Sequence, residues 1–459
     1  MSTIATYLNK RFRIHELGST VRIEIIAGIA LFLGTVVQPT LTAGILADAG
    51  MDRAAVFTAG TVIIVLSCLM YALWLNKPFM CGPSIGVSPW IAYTVILQMG
   101  VSWQMAMAST VVSGVLFLLL SFFGFREKIL GAIPTCLKYA FAAGIGAFIT
   151  IVGLLGVGIV VTDSTSFFGL SLGNLTRIPV LLGVITMMLI AVLYIKKVKG
   201  AFLFGILFYT LIGLFISDPM TGIKLTQLPQ SGLLSVISPI KALAPTFMKF
   251  SFAGASDIFA NPILGIGIII FTIFFIDVFD TIGTLSGLCT IGGFVDENGN
   301  IPDQTKMFLV DATATTVGGM LGVSMATTYI ENSIGLAEGG RTGLTAIVNA
   351  TLFALTLLMA PLFLMVPGIA TNAAIALIGP MMMTSITHVD FKDYSEALPA
   401  FFCMFMMPFT GNMGIGILCG IFLYVVVKAF GKNEKVHPIL WTLSIVFIFY
   451  IISQNMMFG

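Results

Sequence analysis

The sequence predicts an all-α polytopic membrane protein of about fourteen transmembrane helices, arranged as an inverted repeat of seven plus seven. Composition, the spacing of apolar segments and the placement of basic residues predict this class. Of 459 residues, 58% are hydrophobic and 9% are charged, whereas a globular domain carries about 25% charged residues. Many windows of about 20 residues are nearly free of charge, which is the length that crosses a bilayer. A transmembrane β-barrel is disfavoured because its strands alternate apolar and polar residues.

Fifteen hydrophobic windows, bounded by charged or turn-forming residues, organise the chain. Seven precede a more polar connection and eight follow it, so the second half begins in the opposite orientation, as in an inverted repeat. Residues 437–457 give a possible extra helix outside the repeat. The predicted parts are an N-terminal tail, a first repeat, a connecting segment, a second repeat and a C-terminal segment, over residues 1–22, 23–217, 218–262, 263–430 and 431–459.

Basic residues predict the orientation. With a cytoplasmic N-terminus and every window crossing, seventeen of the 22 Lys and Arg residues fall on the cytoplasmic side, as the positive-inside rule expects. The apolar segment from Ile23 is too long for the core of a signal peptide, so it is expected to be a retained helix. We therefore expect a multi-pass protein of the cell (inner or plasma) membrane.

Several functional classes are disfavoured. The net charge of +2 argues against a nucleic-acid partner. The phosphate-binding loop of ATP-driven pumps, Gly-x4-Gly-Lys-Ser/Thr, does not occur. All three histidines lie in loops, the six cysteines lack metal-ligand spacing, and no nucleophile–base pair is visible. We therefore expect no enzyme, no metal and no organic cofactor.

Acidic residues inside apolar windows mark the candidate site, because a charge at bilayer depth costs roughly 2.5–3.5 kcal/mol. Five occur, all in the second half: Asp277, Asp280, Asp311, Glu331 and Glu338. A helix places four polar residues of residues 274–284 on one stripe with i, i+3, i+4, i+7 spacing: Asp277, Asp280, Thr281 and Thr284. This stripe is either a structural network or a proton, cation or substrate site.

Two interrupted windows predict short extended segments in helices 3 and 10. Residues 326–335 read Ala-Thr-Thr-Tyr-Ile-Glu-Asn-Ser-Ile-Gly, and residues 80–89 read Met-Cys-Gly-Pro-Ser-Ile-Gly-Val-Ser-Pro. The first favours a strand that enters a half-helix, whose N-terminal amides can bind a polar ligand. Two half-helices meeting N-terminus to N-terminus would frame one small pocket, with Glu331 as an acceptor.

Two further motifs leave alternatives open. Glu338 and Arg341 would either gate the inner mouth of the pocket or form an ion pair in a solvated turn. Gln38-Pro39 interrupts the first window at a polar residue. It is either a kink or a ligand-facing amide.

Four motifs resemble the guanine/hypoxanthine/adenine permeases, the AzgA-like branch of the nucleobase–cation symporter superfamily that also contains xanthine and uracil permeases. They are Asp-Val-Phe-Asp-Thr-Ile-Gly-Thr-Leu from Asp277, Asp-Glu-Asn-Gly-Asn-Ile-Pro from Asp296, Thr-Thr-Tyr-Ile-Glu-Asn from Thr327, and Glu-Gly-Gly-Arg-Thr-Gly-Leu-Thr-Ala from Glu338. The resemblance implies a core domain (helices one to four and eight to eleven) that moves against a gate domain during proton-coupled uptake.

The resemblance also implies residue roles. Asp280 and Glu331 match the two acidic positions that hold the base, and Thr284 falls where uracil permeases have a proton-linked histidine. The first half departs from the branch's pattern. An Asn-Pro is usual where this chain has Gln38-Pro39, and Ala-Pro-Gly-Met-Gly-Leu-Asn-Ala is usual at residues 82–89.

The predicted function is a secondary active transporter importing purine nucleobases (guanine, hypoxanthine, adenine), with H⁺ as the coupling ion. The predicted partners are the nucleobase and the lipid bilayer, with a homodimer possible. The predicted substrate-binding residues are Glu331, Asp280, Ile330, Thr284, Gln38, Ser84 and Ser88. The predicted proton-coupling residues are Asp280, Asp277 and Glu331. Alternatives are a carrier of another flat or anionic solute (uracil, xanthine or an anion) in the same fold, and a channel or membrane sensor.

Overall fold

The fold is a helical assembly of two halves, seen in a computed structural model. The structure describes residues 3–122, 133–163, 165–166, 169–198, 200–220, 222–228, 239–258, 262–295 and 301–458. The centre of the predicted connecting segment, residues 229–238, and residues 296–300 of the motif from Asp296 lie outside the described residues.

The first half contains nine helices and three strands among the described residues. In chain order they are α1 (Thr3–Phe12), α2 (Val21–Thr35), α3 (Gln38–Asp48), α4 (Arg53–Met70), β1 (Cys81–Pro83), α5 (Val87–Pro89), α6 (Trp103–Phe122), α7 (Thr135–Val157), β2 (Val160–Thr162), β3 (Leu170–Leu172), α8 (Ile178–Ile195) and α9 (Ala201–Gly213). Two π-helical stretches extend α4 and α5, over Tyr71–Leu75 and Trp90–Gln98.

The second half contains eleven helices and one strand in the described ranges. They are α10 (Pro239–Leu243), α11 (Ala255–Ile258), α12 (Pro262–Gly292), α13 (Gln304–Leu321), β4 (Ala326–Thr328), α14 (Asn332–Ala337), α15 (Gly343–Leu358), α16 (Ala360–Leu364), α17 (Gly368–Met383), α18 (Tyr394–Thr410), α19 (Met413–Val426) and α20 (Pro438–Phe458). A 3₁₀ turn extends α17 over Thr384–His388, and a π-helical stretch extends α19 over Val427–Gly431. The predicted extra helix is therefore present as α20.

Seven helices of the described chain are long and apolar enough to cross a membrane, with α2 and α3 counted as one span. They are Val21–Asp48, Arg53–Leu75, Trp103–Phe122, Thr135–Val157, Ile178–Ile195, Gly368–His388 and Met413–Gly431. Shorter apolar helices include α9 and α15. The predicted all-α membrane class is confirmed.

The break between α2 and α3 follows from local chemistry. Pro39 occupies the first turn of α3 and has no amide hydrogen, so the helix cannot continue through it with full hydrogen bonding. Just before the break, the Thr35 hydroxyl donates to the carbonyl of Leu31 at 2.7 Å. Gln38 consequently begins a new helix in the middle of the first span.

The membrane helices pack as two bundles. The core bundle contains α2–α6 and α12–α15, and the gate bundle contains α7–α9 and α17–α19. Glycines permit the closest approaches within each bundle. A Cβ on Gly153 of α7 would lie 2.6 Å from Cα of Ala376 in α17, and one on Gly114 of α6 would lie 2.9 Å from Cα of Thr316 in α13. Contacts between the bundles are sparser and include α3 with α17.

The predicted extended segments are confirmed. Strand β1 from the first half pairs antiparallel with β4 from the second, and every residue of both strands is buried. The Thr315 hydroxyl of α13 donates to the carbonyl of Ala326 at 2.7 Å, which ties β4 to the core bundle. The two halves of the chain therefore meet at a short ladder inside the core bundle.

Candidate functional site

The β1–β4 ladder places two half-helix N-termini at one locus. The register pairs Gly82 with Thr327, and both strands are followed by three residues before a helix begins. After β1 these are residues 84–86, and after β4 they are residues 329–331. The local conformations match residue by residue, so the equivalent positions in the two halves are 85 with 330 and 86 with 331.

The first-half half-helix presents backbone donors. The amide of Ser84 donates to the carbonyl of Met325 at 2.8 Å, and the amide of Val87 donates to the Ser84 hydroxyl at 3.3 Å. The amides of Ile85 and Gly86 between them have no acceptor among the described residues. Donors at the start of a helix favour a negatively polarised ligand group.

Glu331 occupies the corresponding position in the second half, immediately before α14. Gln38 Nε2 donates to its carboxylate at 3.1 Å. Gln38 is only 3% exposed, and its Oε1 has no partner among the described residues. The break between α2 and α3 thus places the side-chain amide of Gln38 next to the N-terminus of α14, the half-helix of the second half. Of the two alternatives for Gln38-Pro39, the structure shows the interruption of the helix, and the amide of Gln38 faces Glu331.

Asp280 lies on α12 next to this pair and is partly exposed. Thr327 of β4 is beside its carboxylate, and Glu331 and Asp311 are close enough to act on it electrostatically. Ile330 is 64% exposed, which shows that open space adjoins the half-helix. The structure therefore brings together three predicted ligands, Asp280, Glu331 and Gln38, at one opening. Thr284 lies one helical turn beyond Asp280 and is also partly exposed.

Asp277 belongs to a separate, buried network. Asp277 and Asp311 have no solvent exposure, and the Thr281 hydroxyl contacts both carboxylates. Thr315 donates to Asp277 at 3.0 Å, and Thr328 of β4 donates to Asp311 at 2.9 Å. The polar stripe on α12 therefore divides in two: one part fixes β4 against α12 and α13, and Asp280 faces the opening.

Two predicted ligands bond within the core bundle. The Ser88 hydroxyl donates to the carbonyl of Ser84 at 2.6 Å and lies 2.5 Å from the hydroxyl of Ser324. Both Ser84 and Ser88 are buried. The first-half donors without an acceptor among the described residues are the backbone amides of Ile85 and Gly86. The sequence prediction expected half-helix amides to act as donors but named Ser84 and Ser88 rather than these two residues.

Glu24 is a buried acid that the sequence prediction did not count among the acids inside apolar windows. It is fully buried and accepts three hydrogen bonds, from the amides of Arg341 (2.9 Å) and Thr342 (3.2 Å) and from the Thr345 hydroxyl (2.6 Å). It therefore joins α2 to the start of α15. Its position one residue inside the first window was the available signal.

Arg341 caps the other end of the half-helix that carries Glu331. Its Nη1 donates to the carbonyls of Leu336 (2.8 Å) and Gly340 (2.7 Å), at the end of α14. A cation at a helix C-terminus is stabilising. Among the described residues, no group of three His, Cys, Asp or Glu side chains is placed to hold a metal ion.

Comparisons with known proteins show which proteins the chain is similar to. A family model described as "Permease family", and named for xanthine and uracil, matches residues 22–419. The chain is 33% identical to the adenine permease AdeP of Escherichia coli (strain K12), over 97% of this chain and 96% of that one. It is 35% identical to the guanine/hypoxanthine permease PbuG of Bacillus subtilis (strain 168), over 96% of this chain and 98% of that one.

A solved structure shares the fold. The transmembrane domain of the cyanobacterium bicarbonate transporter BicA superposes with a TM-score of 0.57 at 15% identity, over 87% of this chain and 97% of that one. At this identity the likeness concerns the fold alone. It agrees with the inverted repeat that the paired β1 and β4 strands display.

Proposed function

The chain belongs to this permease family, and on that premise we propose that it is a secondary active transporter that imports purine nucleobases. It is a multi-pass membrane protein of a transporter family, and the relatives named above are purine nucleobase permeases. The observation that carries the proposal is the convergence of Glu331, Gln38 and Asp280 where the two half-helices meet.

The chemistry of the opening suits a flat heterocycle with both donors and acceptors. Purines present acceptors at N7 and, in guanine and hypoxanthine, at O6, and adenine presents an amino group at position 6. Carboxylates accept from ring or exocyclic N–H groups, and the amides of Ile85 and Gly86 donate to ring acceptors. In this proposal Glu331 holds the N–H edge of the base, Gln38 orients Glu331, and Asp280 contacts a second edge.

Proton coupling follows from the cost of burying charge. Asp280 and Glu331 are partly exposed at the opening, and a carboxylate that loses its water without a partner is strongly unfavourable. Protonation of one of them would neutralise the loaded site before it is occluded. The core bundle can then move against the gate bundle with base and proton together, as alternating access requires.

Two hydrogen bonds that join the bundles favour an inward-open state in this proposal. Arg53 of α4 donates to the carbonyl of Val366, in the segment before α17, at 2.6 Å. The Thr94 hydroxyl donates to the carbonyl of Gly411 at 2.5 Å. Under the predicted orientation both contacts lie on the outer side. Ile330, by contrast, is exposed at the start of α14, which leads toward the predicted cytoplasmic face.

Uptake of radiolabelled bases in a transport-deficient host tests the proposal. Hypoxanthine, guanine and adenine are expected to accumulate above equilibrium, and dissipation of the proton gradient is expected to abolish accumulation. Glu331→Ala and Asp280→Ala should lose uptake. Glu16→Gln should not, because Glu16 pairs with Arg13 on the exposed N-terminal segment.

Two outcomes would contradict the proposal. Unchanged uptake in both alanine variants would exclude the assigned site. Competition by bicarbonate or another unlabelled anion, without competition by any base, would favour the alternative of an anion carrier in the same fold.

A further inference from the structure

Two buried hydroxyl groups lie on the outer edges of the β1–β4 ladder, one on each side. Alternate residues of paired strands point their backbone groups away from the partner strand, and buried backbone groups need other hydrogen-bond partners. The amide of Cys81 in β1 donates to the Ser67 hydroxyl of α4 at 2.9 Å, and this hydroxyl donates to the Cys81 carbonyl at 2.7 Å. Ser67 therefore pairs with the outer edge of β1 as a neighbouring strand would.

The second half of the chain repeats this contact. The amide of Ala326 in β4 donates to the Thr315 hydroxyl of α13 at 3.3 Å, and this hydroxyl donates to the Ala326 carbonyl at 2.7 Å. Cys81 and Ala326 are each the first residue of their strand, and α4 and α13 are the helices that precede these strands. We call Ser67 and Thr315 the hydroxyl clamp.

The bonds at the two ends of the ladder show the same symmetry. The amide of Ser84 donates to the carbonyl of Met325 at 2.8 Å, and the amide of Tyr329 donates to the carbonyl of Met80 at 3.4 Å. Under the equivalence between the halves given above, these two bonds correspond to each other. The ladder, its ends and the hydroxyl clamp therefore follow one local twofold relation between the two halves of the chain.

The ladder is too short to hold its own position. Strands β1 and β4 contribute three residues each, and an isolated two-stranded sheet is marginally stable at best. Helices α4 and α13 pack against each other in the core bundle, and the hydroxyl clamp bonds one strand to each of them. The packing of these two helices consequently sets the position of both strands through two hydroxyl groups.

The groups assigned to the base follow the ladder after very few residues. Pro83 ends β1, and the amides of Ile85 and Gly86 come next but one and next but two along the chain. Thr328 ends β4, and Glu331 follows immediately before α14. A shift of either strand therefore moves the first-half donors relative to the second-half carboxylate. Hydrogen bonds weaken steeply with distance and angle, so the affinity for a ligand held by both halves should fall.

The two hydroxyls differ in their third contact. Ser67 lies 3.0 Å from the carbonyl of Ile64 in its own helix, whereas Thr315 lies 3.0 Å from a carboxylate oxygen of Asp277 on α12. Helix α12 also carries Asp280, which faces the opening. Thr315 therefore connects β4 to the helix of a second predicted ligand.

We propose that Ser67 and Thr315 are positioning residues, which hold the Ile85 and Gly86 amides and the Glu331 carboxylate at the separation that binds the base. This inference rests on the proposed function, because the affinity for a base reports that separation. Both hydroxyl-bearing side chains are fully buried. They act through the backbone of the two strands and do not contact the ligand.

Equilibrium binding of radiolabelled hypoxanthine to the purified full-length protein tests the proposal. The test variants are Ser67→Ala and Thr315→Val. The matched controls are Ser109→Ala and Thr110→Val, because these hydroxyls are also fully buried in the core bundle but bond to carbonyls of their own helix, α6. Thr315→Ser keeps the hydroxyl and serves as the conservative variant.

The Kd for hypoxanthine should rise about tenfold in each test variant, with an unchanged number of binding sites per folded molecule. The controls and Thr315→Ser should remain within about twofold of the wild-type Kd. A merely structural role would lower the number of binding sites and leave Kd unchanged, and that result would overturn the proposal. Ser67→Ala removes a single oxygen atom, so it decides the question if Thr315→Val does not fold.

Hydrogen–deuterium exchange of the ligand-free protein gives a second readout, which depends on neither transport nor a base. Residues 80–87 and 325–332 should exchange faster in the test variants than in the controls, because the ladder loses its attachment to α4 or α13. Exchange rates equal to those of the controls would overturn the hydroxyl clamp. Faster exchange in a protein whose wild type binds no base would contradict the proposed function and the positioning role, but not the clamp.

Discussion

Replacing Gln38 by leucine is expected to weaken nucleobase binding while leaving the protein folded. The substitution removes the donor that lies 3.1 Å from the Glu331 carboxylate. A hydrogen bond to a charged group contributes about 1.5–3 kcal/mol, and each 1.4 kcal/mol is a factor of about ten in affinity. We therefore expect Kd for the base to rise by about one to two orders of magnitude.

Stability should change little, because leucine is similar in size and the partly exposed Glu331 carboxylate can bond to water in place of the Gln38 amide. The assay is equilibrium binding of radiolabelled hypoxanthine to purified protein, with thermal unfolding measured in parallel. Gln98→Leu is the matched control, since Gln98 is exposed at the end of its helix. Wild-type affinity in a folded Gln38→Leu protein would refute the assigned role of the amide.

Three further substitutions test other parts of the structure. Gly86→Ala places a Cβ 3.1 Å from Ile145 of the gate bundle, so the transport rate should fall more than the affinity for the base. Gly368→Ala, with open space around it, is the control. A Gly86→Ala rate equal to that of the control would contradict the role of the contact. Glu24→Gln weakens three charge-assisted hydrogen bonds and should lower the free energy of unfolding by about 2 kcal/mol, measured by denaturation; an unchanged value would contradict it. Thr281→Val removes the hydroxyl shared by two buried carboxylates, and Tm should fall; Thr281→Ser should restore it if the hydroxyl is responsible.

The sequence predicted the membrane class, the inverted repeat and the extended segments because these follow from local patterns. A proline within an apolar span and a run of β-favouring residues are visible without tertiary information. The same holds for Asp280 and Glu331, since carboxylates are rare in apolar windows because of the free energy needed to place a charge there.

What the sequence could not show depends on contacts between distant segments. Gly86 has no side chain, and only the matched conformations after β1 and β4 reveal it as the counterpart of Glu331. The stripe on α12 suggested one site, yet the network of Asp277 with Asp311 depends on how α13 packs. The hydrogen bonds of the Arg341 guanidinium to carbonyls at and beyond the end of α14 could not be foreseen either, because they depend on how the chain turns after Ala337.

The most direct test of the central claim is a ligand panel measured by thermal stabilisation of the purified protein. A ligand at about 100 times its Kd stabilises the native state by about 2.7 kcal/mol. We predict that hypoxanthine, guanine or adenine raises Tm of the wild type and that Glu331→Gln abolishes this shift. Stabilisation by bicarbonate with none by any purine, or an undiminished purine shift in Glu331→Gln, would contradict the account.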